Sequence, residues 1–114
     1  MKTASLTKNL EYNDSRPAIQ VLMETDTSKE IRIALKKGQT MKEHKTPFPI
    51  VVEIFEGKIN FSVNGDVQSL EKGDLIALEG NVPHDLNALA DSTVRLTLTK
   101  SDSAKRVEDV IKKS

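Results

Sequence analysis

Two histidines, His44 and His84, are the only imidazoles in the chain, and no cysteine accompanies them. A neutral imidazole can accept a hydrogen bond from a ligand hydroxyl, move a proton near neutral pH or ligate a transition metal. Divalent zinc, iron or manganese requires about three good protein ligands, and the facial triad adds a carboxylate to two histidines. Glu43, Glu53 and Glu79 are the carboxylates nearest in sequence. Nothing resembles a serine nucleophile elbow, a phosphate loop or a dinucleotide fingerprint. The chemistry within reach is therefore binding, proton exchange or metal ligation at two imidazoles.

Composition narrows the setting. The 114 residues carry 17 Lys+Arg against 17 Asp+Glu, a net charge of zero, which leaves no electrostatic footprint for nucleic acid or an anionic membrane. The longest apolar run, Leu75-Ile76-Ala77-Leu78, is far short of the ~20 residues of a spanning helix. The first eight residues lack the apolar stretch of a secretion signal. Without cysteine there is no disulfide framework, thiolate nucleophile or cysteine-based metal site. The expectation is a cytoplasmic protein of one domain with a lean core, at 37% hydrophobic residues.

Short strands broken by turn signals must position the histidines, the pattern of an all-β sandwich or barrel. Residues 18–24 and 30–36 open it, with Ile31, Ile33 and Leu35 alternating with Arg32, Ala34 and Lys36 as a strand with one wet face. The nearly continuous Ile50-Val51-Val52-Glu53-Ile54-Phe55 reads as a strand covered on both sides. Ile59, Phe61 and Val63 lead into Asn64-Gly65, a type I′ hairpin signal, and Val67 to Leu70 returns. Strands over 75–78, 84–89 and 94–98 follow, separated by Lys72-Gly73-Asp74 and by a loop through Pro83. Phe55 and Phe61 are assigned to the core. The Lys45–Pro49 stretch is either a lid or a stiff connector, since its two prolines restrict the backbone. In 104–114, Ala104, Val107, Val110 and Ile111 fall on one stripe, which predicts a short C-terminal helix.

The glycine-punctuated stretch 38–88 resembles the cupin family of small β-barrels. Gly38, His44 and Gly57 reproduce the frame of the first family motif, and Gly73 with Val82-Pro83-His84 that of the second. The resemblance implies an all-β, jelly-roll-like single barrel over 18–100, behind a polar lead over 1–17 and before a helix over 101–114. Metal-holding cupins use two histidines and a glutamate of the first motif and the histidine of the second. Here Thr46 and Ile50 occupy two of those four positions, and Glu79, Asn81 and Ala88 replace other residues of the second motif. The resemblance thus leaves His44 and His84 as candidate metal ligands. Glu43 and Glu53 differ in parity from the inward positions His44 and Ile50, so both should point outward. Glu79, at a loop edge, stays open as a third ligand.

The leading expectation is a small-molecule binding barrel with a degenerate metal site. Its ligand would lie in the interior among His44, Thr46, Ile50, Val52, Phe61, Leu78, His84 and Leu96, an apolar pocket with few polar groups. A divalent iron, manganese, zinc or nickel ion would bind weakly, in the micromolar range or poorer, because two imidazoles leave its charge uncompensated. The alternatives are a metal-dependent oxygenase- or isomerase-type enzyme using the same histidines, and a sensory or dimerisation module. No basic recognition helix supports contact with DNA. A homodimer is expected, because Val51 and Phe55 leave strand 50–55 apolar on its second face. Glu11, Asp14 and Arg16 in the lead are either surface residues or part of a strand lent to a partner.

Overall fold

The computed structural model describes residues 1–100 and contains nine strands. The expected C-terminal helix over 101–114 lies outside the described residues. The strands are β1 (Ala18–Glu24), β2 (Ser28–Leu35), β3 (Thr40–His44), β4 (Ile50–Glu56), β5 (Lys58–Val63), β6 (Asp66–Glu71), β7 (Leu75–Leu78), β8 (His84–Ala88) and β9 (Ser92–Thr99). They form two antiparallel sheets, ordered β1-β2-β9-β4-β7 and β3-β8-β5-β6. Among the described residues no helix is long and apolar enough to cross a membrane.

Alternation explains which face each strand buries. Ile33, Ile50, Val52, Ile54 and Val94 from the larger sheet meet Ile59, Phe61, Leu70, Leu86 and Ala88 from the smaller one in a single core cluster. Direct register pairs put partners on the same face: Ile33 opposes Val94, Ile54 opposes Val94, and Phe61 opposes Leu86. Phe55 departs from the core assignment. It sits where the β4–β9 register slips between Ile54 and Glu56, is half-buried, and stands outside the cluster. A bulge leaves its extra residue unpaired and turned off the regular alternation.

The turns follow their residues. Asn64 and Gly65 both have positive φ, 52° and 80°, as the type I′ hairpin requires. Gly57 is constrained twice over: its φ is +96°, and a Cβ there would lie 2.6 Å from the Asp91 carbonyl oxygen and 2.2 Å from Ser92 Oγ. Only glycine lets β4 turn into β5 while β9 begins alongside.

Strand β2 is not wet on its second face. Arg32 is 3% exposed and Ala34 is buried, because the lead over 1–17 lies across the outer side of the larger sheet. The Arg32 guanidinium donates from Nη1 to the carbonyls of Ser5 (3.3 Å) and Lys8 (3.0 Å). From Nη2 it donates to the Asn9 carbonyl (3.1 Å) and Gln20 Oε1 (2.9 Å). Asn9, in the left-handed region at φ 55°, curls the lead so that its carbonyls converge on the guanidinium. Farther along, Asp14 pairs with Lys36 and the Asn13 carbonyl accepts from Gln39 Nε2 (2.6 Å).

Candidate functional site

His44 and His84 meet. They are direct partners across the β3–β8 ladder, and their rings stand 4.4 Å apart, centroid to centroid, in an edge-on arrangement at 61°. Simple parity on β3 does not produce this. Met41 opposes the buried Leu86 and so faces the core, yet His44, an odd number of residues on, shares that face. Two residues of β8 separate the register points Leu86 and His84, while three of β3 separate Met41 and His44. The extra residue makes a bulge at Lys42–Glu43 that re-aims His44 toward His84.

Each ring is fixed by the same device. His44 Nδ1 lies 2.7 Å from the Lys42 carbonyl, and His84 Nδ1 lies 2.9 Å from the Val82 carbonyl. A carbonyl only accepts, so the proton sits on Nδ1 in both rings and the Nε2 atoms carry the free lone pairs. His84 is buried, at 3% exposure, and stacks on Phe61 with centroids 5.4 Å apart and planes 9° from parallel. His44 is exposed at the mouth above it.

Burial holds the His84 imidazole below its ordinary pKa of 6.5. The Val82 carbonyl and Asp85 oppose the shift, and the neighbouring His44 reinforces it. The unfolded chain therefore takes up this proton before the folded one does. His84 should cost the native state stability as pH falls below 6.5, with no effect well above it. An NMR titration of the His84 ring is expected to give a midpoint below 6.5, and a midpoint at or above 6.5 contradicts the buried, stacked placement.

The other predicted pocket residues divide. Ile50, Val52 and Phe61 are fully buried core, and Leu78 and Leu96 pack against that core. Thr46 is half-buried, and its hydroxyl accepts from the Phe48 N–H at 3.3 Å, within the connector. The connector is tied down: the Asn81 N–H donates to the Thr46 carbonyl at 2.7 Å, and a Cβ on Gly80 would stand 2.4 Å from the Pro47 carbonyl oxygen. Glu53 does point outward, 3.7 Å from Arg95 Nη1, and Glu43 and Glu79 are exposed. The groove that reaches a predicted site residue lies beside His44. It holds about 270 Å³ and is lined by Arg16, Pro17, Ile19, Thr40, Met41, Lys42 and His44. Sequence reasoning gave Arg16 as a surface residue or part of a strand lent to a partner and did not assign Met41 or Lys42; the bulge that joins Met41 and Lys42 to His44 leaves no signal in hydrophobic alternation.

A metal is the group this fold family most readily implies. Orientation of both rings through Nδ1 suits ligation by Nε2. The donor set does not: among the described residues no three His, Cys, Asp or Glu side chains come together as a metal site. Two imidazoles with no carboxylate fall short of a resident transition ion's needs.

The family model described as a cupin domain matches residues 31–99, and the chain belongs to that family. Solved structures agree on the fold. An RmlC-like cupin from Desulfovibrio desulfuricans superposes with a TM-score of 0.80 at 22% identity, covering 87% of this chain and 96% of the other. A conserved protein with a double-stranded β-helix domain from Klebsiella pneumoniae gives 0.76 at 18% identity, covering 87% and 89%. KdgF from a Halomonas species gives 0.74 at 15% identity, covering 91% and 99%. No curated protein matches the chain.

Proposed function

We propose that this cupin barrel is a small-molecule binding protein whose ligand contacts the paired imidazoles of His44 and His84 at the barrel mouth. The observation that carries the reading is the pair itself: two rings 4.4 Å apart, each held by a backbone carbonyl at Nδ1. Such a pair presents its Nε2 lone pairs to a ligand hydroxyl or N–H, above the apolar face of Phe61. An enzyme holding iron, manganese, zinc or nickel at the same two rings is the second reading: the Nδ1 anchoring suits it, and the lack of a third ligand among the described residues counts against it.

Titration with Zn²⁺ separates the two. The binding-protein reading expects both imidazoles to respond together, with a dissociation constant in the micromolar range or weaker. Stoichiometric metal retained through dialysis against a chelator overturns it in favour of the enzyme. Lack of response at either ring removes the shared site.

A homodimer goes with this reading. On the outer face of the larger sheet, Val51 pairs with Ala77 and Glu53 with Leu75; Leu75 is 64% exposed and Val51 is also exposed. Burying that apolar edge against a second copy would remove it from water. Sedimentation equilibrium at micromolar protein should show the dimer, and a single 12.6 kDa species rules it out.

A further inference from the structure

We infer that the groove beside His44 binds the anionic end of the ligand, and that this ligand is a small organic acid with an aliphatic body. The inference rests on the imidazole pair being the ligand site and adds the class of compound. Strands β1 and β3 are the end strands of their respective sheets. The groove between them is an open seam, floored by residues of the inner faces. Ile19 opposes Ile33 of the core and Met41 opposes Leu86, yet Ile19 is 59% exposed. An apolar floor of this kind, in a space of about 270 Å³, suits a chain of a few methylenes.

Arg16 and Lys42 line the groove together with Thr40 and His44, so its two charged lining residues are both cations and no carboxylate shares the lining. Neither cation makes an ion pair with the described residues. Arg16 is also held in place. The chain before it is tethered by Asn13 to Gln39 and by Asp14 to Lys36, and the chain after it enters the β1 ladder at Ala18 opposite Ala34. Lys42 belongs to the same bulge that turns His44 inward. One strand irregularity therefore joins a cation and an imidazole along a single seam. A carboxylate at Arg16 and Lys42 would lay its aliphatic body over Ile19 and Met41, with its far end toward the two Nε2 atoms.

Hexanoate and its uncharged counterpart 1-hexanol test this at pH 7.5, followed by NMR on the full chain. Hexanoate is expected to shift the Met41 and Lys42 amides and the His44 ring, and to bind roughly tenfold tighter than 1-hexanol at low salt. Replacing both cations, Arg16→Gln with Lys42→Gln, should bring hexanoate down to the affinity of 1-hexanol. Both side chains are exposed, so the fold is unaffected. Equal binding of the two compounds, with the histidines responding to both, overturns the preference for an acid and leaves the imidazole site standing. Shifts at Lys42 with no response at either histidine overturn the link between groove and imidazole pair. No binding of hexanoate overturns the inference outright, while the Zn²⁺ titration judges the imidazole site independently.

Discussion

Arg32→Ala is expected to lower folding stability by about 2–3 kcal/mol and to free the lead. Arg32 is a buried cation whose four described acceptors include no carboxylate: three lead carbonyls and the Gln20 side-chain oxygen, at 2.9–3.3 Å. Hydrogen bonds from a charged donor are worth about 1.5–3 kcal/mol each and do not add, because freed carbonyls regain water. Arg32→Lys should not restore the loss. One compact ammonium cannot reach acceptors on both flanks of a planar guanidinium. Urea denaturation gives the stability change, and limited trypsin digestion at Lys8 reports release of the lead. Unchanged stability together with unchanged cleavage contradicts the anchoring role.

Phe61→Ala should be more damaging, with a loss of about 3–5 kcal/mol, the usual cost of removing a buried aromatic ring. Phe61 is 1% exposed, opposes Leu86 in the ladder and carries His84 on its face. Phe61→Leu keeps an apolar filling and separates the two roles. The fold should survive with a smaller loss, while the His84 ring, without its stacking partner, loses the upfield ring-current displacement that Phe61 imposes. Full stability in Phe61→Ala, or an unmoved His84 ring in Phe61→Leu, contradicts this packing.

Most of the barrel is legible in the sequence because alternation and turn chemistry are local. The Asn64-Gly65 hairpin, the positive-φ glycines and the apolar faces of the strands around Ile33, Val52, Phe61 and Val94 follow directly from residue type. Strand β3 is not legible. Its residues are mostly exposed, Met41 is its one apolar side chain, and the bulge breaks the period by which a strand is recognised. The covered face of β2 is hidden for a different reason. Arg32 in an alternating strand reads as a solvated side chain, and only the path of the lead shows that its charge is buried. His44 and His84 are candidates from their motif positions, but their meeting depends on a one-residue register slip that sequence parity cannot register.

The central claim is that His44 and His84 form one site with both rings anchored through Nδ1, and imidazole NMR at pH 7.5 tests it most directly. The arrangement predicts nuclear Overhauser contacts between the two rings and from His84 to Phe61. It also predicts nitrogen shifts placing the proton of the neutral ring on Nδ1 in both residues. Rings without mutual contacts, with their Nδ1 atoms unprotonated, would contradict it.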